Sequence, residues 1–374
     1  MTEEKVQKVS HLKHILLRPD SYVGPTSKTS ELCWIVDGDE FAQESLIYSP
    51  ALLKIFDELL VNSIDRNTMY PNDVTYIKIT VDKETGIITI ENNGPLGGIQ
   101  VALHEEENVY NPELTFGHLL TSTNYNDQNK NIVGGRNGYG AKLTNIYSSL
   151  FVVTIFDHVN ELKYVQQFET NMSKVNKPKI SKYSGKVSKV NISFVPDWKR
   201  FGMSQMDEDF FKIVEKRVFD ANYCTHAKCS VYFQGEKLKK CSNEEYVKMY
   251  LDENTKVCSA SNERWCVAIA PSDGFQQVSF VNGICTTKGG THVDYVSKMI
   301  SDGIIEELAK KIKLKPQQVK NTFFVFVKCM LENPNFSSQV KSECTLKCQN
   351  FGSRFEPPKS FIKGVLKTGI QNEV

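Results

Sequence analysis

The sequence predicts an α+β fold in two parts, and three observations carry that prediction. Strand-like runs gather between residues 74 and 194 and again between 265 and 331, with the long helical runs standing apart from them. Grouping of this kind favours α+β sandwiches over a doubly wound sheet. The pattern restarts around Cys241–Lys248, which divides the chain into 1–244 and 245–374. Length agrees, since 374 residues correspond to two or three domains at ~150 residues each.

The elements follow in order. Val6–Leu17 carries a short helical run and Arg18–Gly24 a turn-rich connector. The strongest helix opens at Ser49, a good N-cap, with Pro50 in the first helical position and Leu53, Phe56, Leu60 and Ile64 at helical spacing. Val74–Asp82 alternates, Asp82–Gly86 turns, and Ile87–Glu91 returns as a hairpin. Glycine- and asparagine-rich connections at Asn92–Gly98 and Asn124–Gly140 flank a helical stretch at Glu113–Thr121. Strands are expected at Phe151–Phe156, Lys163–Phe168 and Val187–Phe194, a helix at Asp207–Cys224, and a strand at Ser230–Phe233. In the second part, Trp265–Ala270 and Gln276–Val281 read as strands and Tyr295–Lys311 as an amphipathic helix. Thr322–Leu331 reads as an apolar strand, and Ser360–Gly369 begins another helix.

Composition excludes several classes. With 40% apolar and 24% charged residues, wholesale disorder is out. The 45 Lys+Arg against 44 Asp+Glu give a net charge of +1, which argues against a generic nucleic-acid sponge while leaving local patches open. No run approaches the ~18 apolar residues of a membrane span, and the acidic N-terminus lacks the apolar core of a secretory signal. The ten cysteines contain no Cys-x-x-Cys; Cys224…Cys229 and Cys344…Cys348 come closest to metal spacing. They read as scattered reduced thiols of a soluble intracellular protein.

Three short segments share a chemical theme. Glu58 and Asn62 lie four apart on one face of the Ser49-capped helix; a carboxylate there can orient a water, and an amide oxygen suits magnesium. Read alone, a solvated face carrying Glu58 and Asp65 accounts for the pattern as well. Asn92-Asn93-Gly94 follows a strand end and lets a planar ligand sit against backbone, although it is also what a hairpin exit looks like. Gly134–Lys142 offers successive glycine N–H groups followed by a helix N-terminus, a phosphate-binding combination; its plain reading is a surface loop. Gly140-Ala141-Lys142 breaks the P-loop rule, and Leu143 stands where the dinucleotide fingerprint needs glycine. Neither His-Arg-Asp nor Asp-Phe-Gly of protein kinases occurs.

Taken in order, these segments resemble the nucleotide site of the GHKL ATPases. Lys54-Ile-Phe-Asp-Glu58-Leu-Leu-Val-Asn62, Leu120-Thr-Ser122-Thr-Asn124 and Gly134-Gly-Arg-Asn-Gly-Tyr-Gly-Ala-Lys142 are similar to eukaryotic-type DNA topoisomerase II in particular. So are His14–Gly24, Gly274–Asn282, Lys288–Val296 and Glu332–Phe336. The resemblance implies a GHKL (Bergerat-type) ATPase α/β sandwich followed by a transducer domain of ribosomal protein S5-like α+β fold. It implies that Glu58 activates the hydrolytic water, Asn62 holds magnesium on the phosphates, and Asn92 reads adenine. Ser122, Thr123 and Asn124 would touch ribose and phosphate, and Asn137, Gly138, Tyr139, Gly140 and Lys142 would close over the triphosphate. From the transducer, Gln339 and Lys341 would reach the terminal phosphate. Arg66 stands where the family usually has asparagine, Pro95-Leu96 adds a residue to the second segment, Val340 replaces a threonine, and Val6 aligns with a strap tyrosine.

The same resemblance implies ATP and Mg2+ as cofactors and a nucleotide-dependent homodimer that closes around double-stranded DNA. It further implies the topoisomerase cleavage core as partner in a longer protein, this chain being the N-terminal gate cut inside the transducer's last helix. The basic run Lys310-Lys311-Ile-Lys313-Leu-Lys315 is the candidate DNA contact, or else a solvated helix end. Residence would be nuclear for a cellular source, and nucleus, virus factory or virion for a viral one. Two other functions remain open: a nucleotide-regulated clamp with little turnover, and a GHKL phosphotransfer enzyme, for which His11 and His14 are the upstream histidines.

Overall fold

The computed structural model describes residues 8–121, 130–135, 139–309 and 313–370. Ser10 caps α1 (His11–Leu17) by accepting from the Lys13 N–H. Two strands that the sequence reading left unassigned come next: β1 (Thr29–Asp37) and β2 (Glu40–Tyr48) pair antiparallel, turning at Gly38, whose φ is 61°. Their residues are mostly exposed or half-buried, so no clean alternation marks them. α2 (Pro50–Met69) begins where Ser49 and Pro50 predict, the Ser49 Oγ accepting from the Leu52 N–H at 3.4 Å.

α2 departs from the one-stripe expectation. Thirteen of its twenty residues are buried, Lys54, Glu58 and Asp65 among them, so the solvated face proposed for Glu58 and Asp65 does not exist. The reason lies in what surrounds it. The chain continues through β3 (Tyr76–Val81), β4 (Ile88–Asn93), α3 (Asn111–Gly117), α4 (Gly140–Ile146), β5 (Ser148–Asp157), β6 (Leu162–Glu169), β7 (Lys174–Val175), β8 (Lys179–Lys182) and β9 (Lys189–Pro196). It then forms α5 (Glu208–Cys224), β10 (Ser230–Phe233) and β11 (Glu236–Lys237). The strands make a nine-stranded sheet in the order β11-β10-β3-β4-β9-β5-β6-β7, with β8 also on β6. Only β3–β10 is parallel. α2 packs against β4, α4 and α5, so Phe56, Leu60, Ile90, Phe151, Phe194 and Phe210 share one core.

The second part opens with α6 (Asn243–Lys248), started by a Ser242–Glu245 capping box. After it come β12 (Cys258–Ser261), β13 (Trp265–Pro271), β14 (Gln276–Val281), β15 (Ile284–Cys285), α7 (Thr291–Leu308), α8 (Pro316–Lys320), β16 (Phe323–Cys329) and α9 (Phe361–Val365). Five strands form a sheet in the order β12-β13-β16-β14-β15, in which β14 and β16 run parallel. The unbroken apolar run of β16 reflects burial on both faces. Phe323, Val325 and Val327 join the core under α7, whereas Phe324 and Phe326 join Phe41, Tyr223, Tyr246 and Tyr250 on the other side.

The two sheets meet at α2. A Cβ added to Gly283, at the β14–β15 turn, would fall 2.7 Å from the Ile64 Cγ2, so this turn lies directly on the helix that carries Glu58.

Candidate functional site

Glu58 sits in the middle of α2 with 3% of its surface exposed. Its Oε1 meets Lys54 Nζ one turn earlier at 2.5 Å and Lys341 Nζ at 3.4 Å. Lys341 comes from the segment after β16, with a left-handed backbone (φ 65°) and 7% exposure, so it is a buried cation rather than a solvated one. Burial alone would push the Glu58 carboxyl up, but the fields of Lys341 and Lys54 overcome it and hold the group at about 2. Burial drives Lys54 the other way, lowering its pKa.

One helical turn beyond Asn62, Asp65 accepts two backbone bonds, from the Gly134 N–H at 2.7 Å to Oδ1 and from the Gly135 N–H at 2.9 Å to Oδ2. This revises the expectation for the glycine segment: its first two N–H groups serve a carboxylate of the protein itself. Burial nevertheless pushes Asp65 up to about 7 against the pull of those two bonds. The Gly134 carbonyl accepts from Lys341 Nζ at 3.3 Å. Gly140, the first residue of α4, is required by contact, since a Cβ there would fall 2.4 Å from the Glu58 Oε2.

Asn92 and Asn93, neighbours at the end of β4, divide their work by strand alternation. Asn93 Oδ1 accepts from the Thr75 and Tyr76 N–H groups at 2.9 and 3.0 Å, which makes it structural. Asn92 accepts from the Ser63 hydroxyl at 3.2 Å and faces the cavity. Arg66 stacks on the Tyr70 ring at 4.8 Å and donates to the Pro95 carbonyl, tying the loop with the additional residue to α2. Lys142 donates to the Thr121 carbonyl at 2.7 Å, and burial lowers its pKa to about 8.

A cavity of about 710 Å³ joins these groups, within the ~300–1,000 Å³ typical of small-molecule sites. Glu58, Asn62, Asn92, Gly140, Lys142, Gln339 and Lys341 all line it. Its walls are chemically divided. Glu58, Lys142 and Lys341 bring charge to the lining, while Ile90, Leu96, Phe116 and Ile192 bring apolar surface. The arrangement suits a ligand with a flat apolar head and an anionic tail. The Tyr139 ring packs against His11 and Tyr22 at 5.9 and 6.1 Å. Ser122, Thr123, Asn124, Asn137 and Gly138 lie outside the described residues, as do Val6, Lys310 and Lys311. Sequence reasoning gave no role to Lys54 or Asp65. The signal was spacing: a lysine four residues before Glu58 and an aspartate three after Asn62.

Comparison with known proteins agrees with this fold. The family described as DNA gyrase B matches residues 231–350. DNA topoisomerase 2 of Arabidopsis thaliana is 42% identical over 98% of this chain and 26% of its own length. That of Saccharomyces cerevisiae is 41% identical over 98% and 27%, so the chain spans about a quarter of these relatives. Among solved structures, the ATPase region of Saccharomyces cerevisiae topoisomerase II superposes with a TM-score of 0.94 at 41% identity, covering 100% of this chain and 98% of that one. The ATPase and transducer domains of DNA topoisomerase II from Balamuthia mandrillaris give 0.94 at 36%, covering 100% and 97%. The 43K ATPase domain of Thermus thermophilus gyrase B, at 16% identity and 0.59, shares the fold.

Proposed function

The chain belongs to the ATPase region of the DNA topoisomerase II family, and from that premise we propose that its cavity binds and hydrolyses ATP to work a dimer gate. Residues 1–244 act as the nucleotide domain and 245–374 as the transducer. The observation that carries the reading is a buried carboxylate on α2 held by a lysine delivered from the segment after β16. Asn92 reads the adenine edge, and Gln339 and Lys341 reach the terminal phosphate. An oxygen donor set such as the Asn62 amide with substrate phosphates fits Mg2+, which would neutralise phosphate charge when bound.

In this mechanism the γ-phosphate attracts Lys341 away from Glu58. The Oε2, which faces Gly140, accepts a proton from the attacking water. Lys341 meanwhile stabilises charge developing on the transferred phosphoryl group. Movement of Lys341 couples nucleotide state to the second sheet, so ATP binding closes two protomers around double-stranded DNA and hydrolysis reopens them. The larger relatives imply a cleavage core as the remaining partner, with residence in the nucleus. A clamp with little turnover is the second reading, favoured by the two lysines on Glu58 Oε1, which hold the carboxyl low and make it a weak base.

Glu58→Gln separates the two. The variant is expected to bind ATP and double in solution mass with ATP and magnesium, while phosphate release falls by roughly 10²-fold or more. Phosphate release at the wild-type rate would rule out Glu58 as base, and a wild-type chain without turnover would favour the clamp.

A further inference from the structure

We propose that Asp65 is a positioning residue for the reaction, setting Lys341 through the backbone of Gly134. The inference rests on the ATPase reading above. Asp65 Oδ1 and Oδ2 each accept one N–H, from Gly134 at 2.7 Å and Gly135 at 2.9 Å. The carbonyl of the same Gly134 accepts from Lys341 Nζ at 3.3 Å, and that ammonium meets Glu58 Oε1 at 3.4 Å. A ring therefore leaves α2 at Asp65, passes through Gly134 and Lys341, and returns to α2 at Glu58, about two helical turns away.

Each link has a physical reason. Gly134 has no side chain to anchor it, and a Cβ there would fall 2.8 Å from Ile284 Cδ1 and 2.9 Å from Val61 Cγ1. The Gly134 carbonyl lies in one rigid plane with the Gly135 N–H, so the Asp65 Oδ2 that accepts from Gly135 orients the carbonyl that receives Lys341. Two acceptor oxygens on one carboxylate fix both distance and plane, which a single acceptor cannot do. Lysine is a flexible stem bearing a point charge, so the carbonyl that receives it decides where the charge rests. Without the Asp65 strut the Gly134 peptide is free to turn, its carbonyl leaves Lys341, and the cation loses its aim at the terminal phosphate. The loss belongs to kcat rather than to nucleotide binding, because adenine is gripped elsewhere, beside Asn92.

A double-mutant cycle tests this. Asp65→Asn keeps the volume but presents an NH2 donor to one of the two glycine N–H groups. In the wild-type background kcat should fall about tenfold or more with KM for ATP changing less than about threefold. In a Lys341→Met background the same substitution should change kcat by less than about twofold, because the ring is already open. Equal fold losses in both backgrounds, or an unchanged kcat in the first, would overturn the proposal. Asp65→Ser carries the same comparison if Asp65→Asn does not fold. Failure of both to fold would make Asp65 a stability residue and defeat the proposal too. Absence of turnover in the wild-type chain would instead remove the ATPase reading itself.

Discussion

Glu58 Oε1 is shared by Lys54 at 2.5 Å and Lys341 at 3.4 Å, and these two cations outweigh the burial that would otherwise raise its pKa. The sign of the consequence follows from linkage. Because the folded value lies below the ordinary 4.5, ionised Glu58 contributes stability above that pH and loses it as pH falls toward about 2. Lys54→Met removes one cation while Lys341 is free to leave for the phosphate, so burial then dominates and the carboxyl rises. The acid limb of the kcat profile should move toward neutrality, with kcat at pH 6 falling once the carboxyl has risen to about 6 and about tenfold for each further unit. Steady-state phosphate release between pH 5 and 9 measures it. A profile superimposable on wild type would mean that Lys54 is not what keeps the Glu58 carboxyl below that range.

At the scale of elements, α4 and α2 approach so closely that position 140 has no room for a side chain. A Cβ there would lie 2.4 Å from Glu58 Oε2, and Lys54 and Lys341 leave that carboxylate little freedom to retreat. Gly140→Ala should therefore displace α4 or the carboxylate by several tenths of an ångström. Turnover should fall by about 10²-fold, as expected for misplaced reacting groups, while the melting curve stays near wild type. Legibility varied between elements for related reasons. α2 was readable at its start because Ser49 and Pro50 act locally. Its buried acids were not, because helical periodicity registers one apolar stripe and α2 is enclosed by β4, α4, α5 and the β14–β15 turn. β1 and β2 escaped notice since few of their residues are buried. Glu58 and Asn62 stand out in the sequence by their four-residue spacing and Gly140 by its glycine run, whereas Lys341 was legible only through family resemblance: its partners lie 283 and 207 residues away in sequence.

Across the whole molecule, a network centred on Arg217 of α5 joins α2 to the second sheet. Its guanidinium donates from Nε to Asp57, the neighbour of Glu58, at 2.8 Å and from Nη1 to Asp220 at 3.5 Å. Asp220 in turn accepts from Lys216 and, at 2.6 Å, from the Tyr246 hydroxyl. Lys216 reaches the Tyr250 hydroxyl at 2.8 Å, and the Tyr250 ring packs on Phe326 of β16 at 5.4 Å. Burial opposes the charge on Arg217, but Asp57 and Asp220 more than offset it and raise its pKa above the ordinary value. Such a network is fragile to the loss of one member, because the partners left behind are already out of water. Arg217→Met strips Asp57 of its cation and Asp220 of one of two, and should destabilise the fold by about 3–5 kcal/mol. Arg217→Lys keeps the charge without the fork and should recover part of that loss. Urea unfolding of the three proteins measures both effects, the midpoint falling in the order wild type, Lys, Met with unchanged slope. If Met unfolds with the wild-type midpoint, the aromatic cluster around Phe41, Tyr246 and Phe326 holds the sheets together by itself, and the ion network contributes nothing to their union.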